Sequence, residues 1–136
     1  MAEKEGAIVK KGHDECLKMA ISLLKEFEIP EGLLPVADII EYGYVKATGY
    51  FWVLQKKKVE HKFNMINKVV SYDIEITGYI SKKNIKMLKG VNAKELMLRP
   101  PINEVIVDEQ PTGKIHFKSY GGITKTFPVE AFAVCQ

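Results

Sequence analysis

The residues able to do covalent chemistry are few and poorly placed for it. Ser22, Ser71, Ser81 and Ser119 are the serines. None occupies the Gly-x-Ser-x-Gly turn that lifts a nucleophile clear of a strand end. Gly121-Gly122 reads as a turn, not as a loop whose backbone N–H groups cradle phosphate. His13 and Cys16 stand three apart, but two ligands do not close a zinc shell. His61, in Glu60-His61-Lys62, shares a strand face with Val59 and Phe63, and His116 stands between Ile115 and Phe117. Both read first as structural histidines. Neutral imidazole is also a good metal ligand, so either could coordinate a bound metal or a metallated pigment. Glu60, Asp73, Glu75 and Glu104 are scattered over faces that read as wet, and no carboxylate pair is placed for acid–base work. The expectation is a protein that is not an enzyme and has no metal site of its own.

The aromatic residues carry more. Tyr42, Tyr44, Tyr50, Phe51, Trp52, Phe63 and Tyr72 all fall between positions 42 and 72, and Trp52 is the only tryptophan. Core packing is the ordinary use of such a set. The sharper reading is an apolar surface or cavity on which a flat hydrophobic ligand stacks. The candidate ligand-binding residues are then Phe51, Trp52, Tyr44, Phe63, His61 and His116, with Phe51 and Trp52 leading. One observation favours this: Phe51 and Val53 face one way and Trp52 and Leu54 the other, so both sides of the strand are apolar.

The elements that must position these residues follow from periodicity. Residues 1–12 read as a flexible N-terminal arm, and residues 13–134 as a single β-barrel-like domain. Asp14 can cap a helix running to about Phe27, with Leu17, Ala20, Ile21, Leu24 and Phe27 as one apolar stripe. Pro30, Gly32 and Pro35 end it. From Val36 the period changes to two. Ile40, Tyr42 and Tyr44 alternate with polar or small neighbours, then Phe51–Leu54, then Val59, His61 and Phe63, then Val70, Tyr72, Ile74 and Ile76. Ser81–Gly90 is basic and fits either a helical turn or an irregular connection. Leu96 and Leu98 alternate with Glu95, Met97 and Arg99 up to Pro100-Pro101. Val105–Asp108, Lys114–Lys118 and Ile123–Phe127 read as three more strands, punctuated by Asp108–Gly113 and Tyr120-Gly121-Gly122. Residues 47–63 also align without gaps on residues 111–127, Thr48, Gly49 and Phe63 matching Thr112, Gly113 and Phe127, as two hairpins of one shape would. The fold class is mainly β (α+β). An antiparallel, partly closed β-barrel or roll carries one N-terminal amphipathic helix over an open end or face.

Composition narrows the partners. At 136 residues the chain is one domain with a real core. Its net charge is +3, and Arg99 is the only arginine among twenty basic residues. Base-edge and bidentate phosphate recognition favour arginine, so a nucleic-acid reader is not expected. Lys56-Lys57-Lys58 reads as a solvated corner, with contact to anionic lipid or acidic partners as the sharper use. Cys16 falls on the apolar helix face and Cys135 is next to the last residue; two cysteines make no disulfide framework and suit a reducing compartment. No run approaches the ~20 apolar residues that span a bilayer, and none has signal-peptide length. The chain reads as cytoplasmic and not transmembrane.

In order and spacing, GLLPVADIIEYGYVKATGYFWV, VEHKF, VSYDIEITGYI, GVNAKELML and PTGKIHFKS…TKTFPVEAF resemble the plant domain of unknown function 538, DUF538, from about Gly12 to Phe132. The resemblance implies a small β-barrel-like roll with an N-terminal helix. It implies links to stress responses and to growth of plant surface cells, and a likeness to lipid-binding bactericidal permeability-increasing proteins. The family includes the photoconvertible, class I water-soluble chlorophyll proteins, which makes chlorophyll the concrete candidate ligand. It carries no catalytic or ligand residues over to this chain. Some members have signal peptides; this chain shows no such apolar run. Two readings follow. One is a non-catalytic binder of a flat hydrophobic pigment or lipid, a homo-oligomer when loaded. The other is a regulatory or interaction domain at a membrane surface or on a protein partner.

Overall fold

Among the described residues, the period-two segments pair into one antiparallel sheet of nine strands. The computed structural model describes residues 2–94, 100–108, 113–119 and 121–133. The strands are β1 (Ile8–Lys11), β2 (Ile39–Tyr44), β3 (Tyr50–Gln55), β4 (Val59–Phe63), β5 (Lys68–Ser81), β6 (Asn84–Lys94), β7 (Ile102–Val107), β8 (Lys114–Ser119) and β9 (Thr124–Pro128). Helix α1 (His13–Glu26) separates β1 from β2, and the 3-10 helix η2 (Val129–Phe132) follows β9; a 3-10 turn, η1, covers Ala2–Lys4. Neighbours run β1-β2-β3-β5-β6-β7-β8-β9, with β4 paired to β5 off that path. The end strands β1 and β9 do not meet, so the sheet is a partly open roll with the helix at its N-terminal end.

Strand β5 makes the roll. Its first half pairs with β4 and with the end of β6, its second half with β3 and the start of β6. Between Tyr72 and Thr77 the β5–β6 register slips. Such bulges bend a strand and sharpen its twist. Within the slip Ile74 is turned outward and 55% exposed, against its expected place beside Tyr72 and Ile76. A shift between Ile39 and Glu41 likewise leaves Ile40 outside.

Helix α1 starts one residue before the expected cap. Gly12 is the N-cap and makes no side-chain hydrogen bond, so Asp14 does not cap it. The buried stripe is Cys16, Ala20, Leu23 and Leu24, rotated slightly from the expected one, with Ile21 half-buried. It packs on β2 and β1. The main core joins this stripe to Tyr42, Phe51, Val53, Phe63, Tyr72, Ile76, Ile85, Ile115 and Phe132. On the other sheet face, Val45, Tyr50 and Trp52 form a second cluster.

Three expectations meet a different chain. The arm at residues 1–12 contains β1, which pairs with β2 from Ile8–Tyr44 to Lys11–Glu41. Ser81–Gly90 is neither helical nor irregular: β5 and β6 form a hairpin through Lys82-Lys83, and β6 runs through Gly90. Its buried residues are Ile85, Leu88 and Val91, three apart, because Met87 and Gly90 both take positive φ and break the alternation. The alignment of residues 47–63 on 111–127 matches strand β3 to β8, but it does not mark two hairpins. Strand β8 pairs with β9, the next strand of its segment, whereas β3 pairs with β2 and β5 and the next strand of its segment, β4, pairs with β5. The Leu96–Leu98 run, Thr112, Tyr120 and Cys135 lie outside the described residues.

Candidate functional site

The aromatic meander is filled by the protein itself. Phe51 is 1% exposed and stacks on Tyr42, with ring centroids 6.3 Å apart and planes at 15°. Tyr44 meets the edge of Phe27 at 6.4 Å. Phe63 packs against Phe132 at 4.7 Å and against the ring of half-buried His61 at 4.6 Å. Trp52 lies on the opposite face, across from Gly43, where any Cβ would collide with the indole. Its Nε1–H donates to Glu41 Oε2 at 2.7 Å, and Lys4 Nζ stands 4.5 Å from the ring centre. The structure thus brings Phe63 and His61 together, and sets Trp52 apart from both. Phe51, Trp52, Tyr44 and Phe63 all sit in core positions.

His116 is held at both nitrogens. Nε2 is 2.6 Å from Asp108 Oδ1, and Nδ1 is 2.7 Å from Thr126 Oγ1. This is the order of nucleophile, base and orienting carboxylate. Sequence reading missed it because the three residues lie on or beside three strands, and only the β8–β9 register sets His116 opposite Thr126. Asp108, His116 and Thr126 line none of the hollows described below. Metal ligation by His116 would cost one of its two hydrogen bonds. Among the described residues no group of three His, Cys, Asp or Glu side chains converges on a metal position.

The accessible apolar space is elsewhere. A cleft of about 230 Å³ lies between the start of β5, the end of β6, strands β7 to β9 and η2. Val70, Ala93, Ile102, Phe117, Phe127 and Phe132 supply its walls, and Lys68 and Lys125 also line it. None of the six residues expected from sequence does. The β6–β7 ladder joins only Asn84 and Ile85 to Ile106 and Val105, with one further bridge at Asn92–Pro101. Ala93, Pro100 and Ile102 line the cleft beyond that ladder. An inner cavity of about 20 Å³ lies behind it and reaches Phe63, Tyr72 and Leu88. Ile123 lines the cleft and is 59% exposed, and Met65, next to the lining residue Ile66, is 51% exposed. A second, more open hollow between α1 and β1 has mixed charge, from Lys10, Lys18, Glu15 and Glu26.

A family model described as "Protein of unknown function, DUF538" matches residues 20–133. The chain belongs to the DUF538 family. No curated protein and no solved structure matches it. The matched span begins within α1 and ends just past η2, so the described residues that line the cleft lie inside the DUF538 region. Strand β1 lies outside it. Among the described residues of this DUF538 chain, no helix is long and apolar enough to cross a membrane.

Burial sets the protonation of the inward phenols. It pushes the Tyr72 hydroxyl well above the ordinary tyrosine range, and that hydroxyl donates to Leu33 O at 2.8 Å. Burial first, then neighbouring Tyr44 and Cys16, raises Tyr42. Burial also raises the Cys16 thiol, which donates to Lys10 O.

Proposed function

We propose that this DUF538 protein is a non-catalytic binder of a hydrophobic ligand, a pigment or a lipid, and that the cleft is its seat. The observation that carries the reading is the cleft itself, whose walls are almost wholly aliphatic and aromatic. Ligand sites are typically such apolar hollows with a few polar groups at one end. Chlorophyll remains the concrete test ligand. At about 230 Å³ the cleft does not enclose a tetrapyrrole macrocycle, since sites for drug-sized molecules run to ~300–1,000 Å³. In this reading the cleft takes part of the pigment's hydrocarbon tail. The macrocycle would lie at the mouth, covered by a second copy of the chain, so uptake should come with oligomerisation. A role in the plant stress response belongs to this reading and rests on the family resemblance alone.

The test is to mix purified protein with chlorophyll and follow a soluble coloured complex by size exclusion. Ala93→Phe fills the cleft without emptying the core and should cut uptake at least tenfold, by the loss of ~1.4 kcal/mol or more. Trp52→Leu should leave stoichiometry and spectrum unchanged. If Ala93→Phe takes up pigment like wild type, the seat is wrong. If wild type takes up none, the pigment reading fails for this member.

The exposed apolar side chains of Met65 and Ile123, the latter lining the cleft, favour a second reading. In it the protein is a regulatory or interaction domain at a membrane surface or on a protein partner. Co-sedimentation with anionic vesicles, weakened by Ile123→Asp, would support the membrane form.

A further inference from the structure

The outer cleft and the inner cavity share four wall residues, Val70, Ile102, Phe117 and Phe132. The first three stand on β5, β7 and β8 and are fixed by the strand ladders. Phe132 comes instead from the short η2 segment. Its ring is buried against Phe63 at 4.7 Å and Phe117 at 5.0 Å. Backbone bonds from Val129 N–H to Gly113 O at 2.7 Å and from Gly32 N–H to Phe132 O at 2.9 Å hold the segment. A Cβ at Gly32 would come within 2.5 Å of that same carbonyl oxygen, so only glycine lets η2 sit this close. Phe132 can therefore be trimmed or displaced without breaking a strand.

We propose that the cleft takes an alkyl chain end-first and that the Phe132 ring is the stop that sets the accepted chain length. The path beyond the ring stays apolar: Phe63, Tyr72, Leu88 and Val91 line the inner cavity. Removing the ring thus deepens the site into the core. The cleft exceeds the ~150 Å³ that holds benzene and is smaller than drug-sized sites, which suits a narrow chain more than a fused ring. Lys68 and Lys125 line the outer cleft and not the inner cavity, so the polar part of the site lies away from the end of the chain at Phe132. This rests on the seat proposed above and adds the ligand class and the residue that selects it.

The probe is 1-anilinonaphthalene-8-sulfonate, displaced by saturated fatty acids from octanoate to stearate, with thermal melts confirming that each variant is folded. For wild type, affinity should rise by up to about fourfold per added methylene and then level off once the chain meets the ring. Phe132→Ala should move the levelling point to longer chains by two methylenes or more, so that the longest bind at least about tenfold tighter than to wild type. Phe132→Leu, which keeps the core filled, decides the question if the alanine variant does not fold. Gly32→Ala, which pushes on η2 from outside the cleft, should shift the levelling point in the same direction. A folded Phe132 variant that levels off at the wild-type length overturns the stop and leaves the seat standing. If no chain displaces the probe from wild type, the stop and the seat fall together.

Discussion

Thr126, His116 and Asp108 form a hydrogen-bonded sequence on or beside β7, β8 and β9. Their 2.7 Å and 2.6 Å contacts have the order of a catalytic relay, yet no described hollow adjoins them. The purified protein is expected to turn over no ester or peptide substrate. Turnover that Thr126→Ala or His116→Ala removes would assign the relay a catalytic part. The inward tyrosines make a second prediction at this scale. Burial raises Tyr42, Tyr44, Tyr50 and Tyr72 in the folded chain, while in the unfolded chain they return to about 10. Below that pH both states hold these protons, and the stabilising difference is complete. As pH rises above it, the unfolded state loses protons that the folded state keeps, and stability falls. Tyrosinate absorbance should therefore lag in the native protein and climb together with alkaline unfolding. Ionisation of all tyrosines near pH 10 with the fold intact would refute the burial of these hydroxyls.

At the scale of elements, α1 and the β5–β6 hairpin behave oppositely. The helix was legible because its apolar positions recur at helical spacing and its boundaries fall between Gly12 and Phe27. Its Leu24 is 3% exposed in the main core. Leu24→Ala should cost ~2–5 kcal/mol, read by urea unfolding, as buried leucine truncations do. A loss below about half a kcal/mol would mean that the stripe is not packed. Strand β6 was not legible because positive φ at Met87 and Gly90 resets which side chains face inward. Its buried residues then recur every third position, which imitates a helical turn. Strands β3 and β8 were legible as strands but not as partners. Their similar local sequence fixes similar lengths, while pairing depends on which strand lies alongside.

For the whole molecule, the open roll places the cleft against β7 to β9 and η2, and the Trp52 cluster on the other face of the sheet. If the ligand is a pigment held by its tail, a monomer leaves the macrocycle wet. The loaded protein should then elute from size exclusion as at least a dimer, and the ligand-free protein at a smaller size. A loaded complex that stays monomeric would show that the pigment is shielded in some other way, and would remove the second copy from the reading.

The sequence by itself determined the family, the leading helix, most strand positions, and the two-sided apolar character of β3. These are local properties, set by period, turn residues and composition over a few positions at a time. Core and ligand platform look alike in such a pattern, because both ask for the same aromatic residues at the same alternation. Only the tertiary structure separated them. It placed Trp52 opposite Gly43, within hydrogen-bond reach of Glu41 and under Lys4, and so filled the expected site with the chain's own groups. It also drew Val70, Ala93, Ile102, Phe117 and Phe132 from five separate segments around one empty space. No window of the sequence contains that cleft, because its walls are neighbours only through the order in which the strands pair.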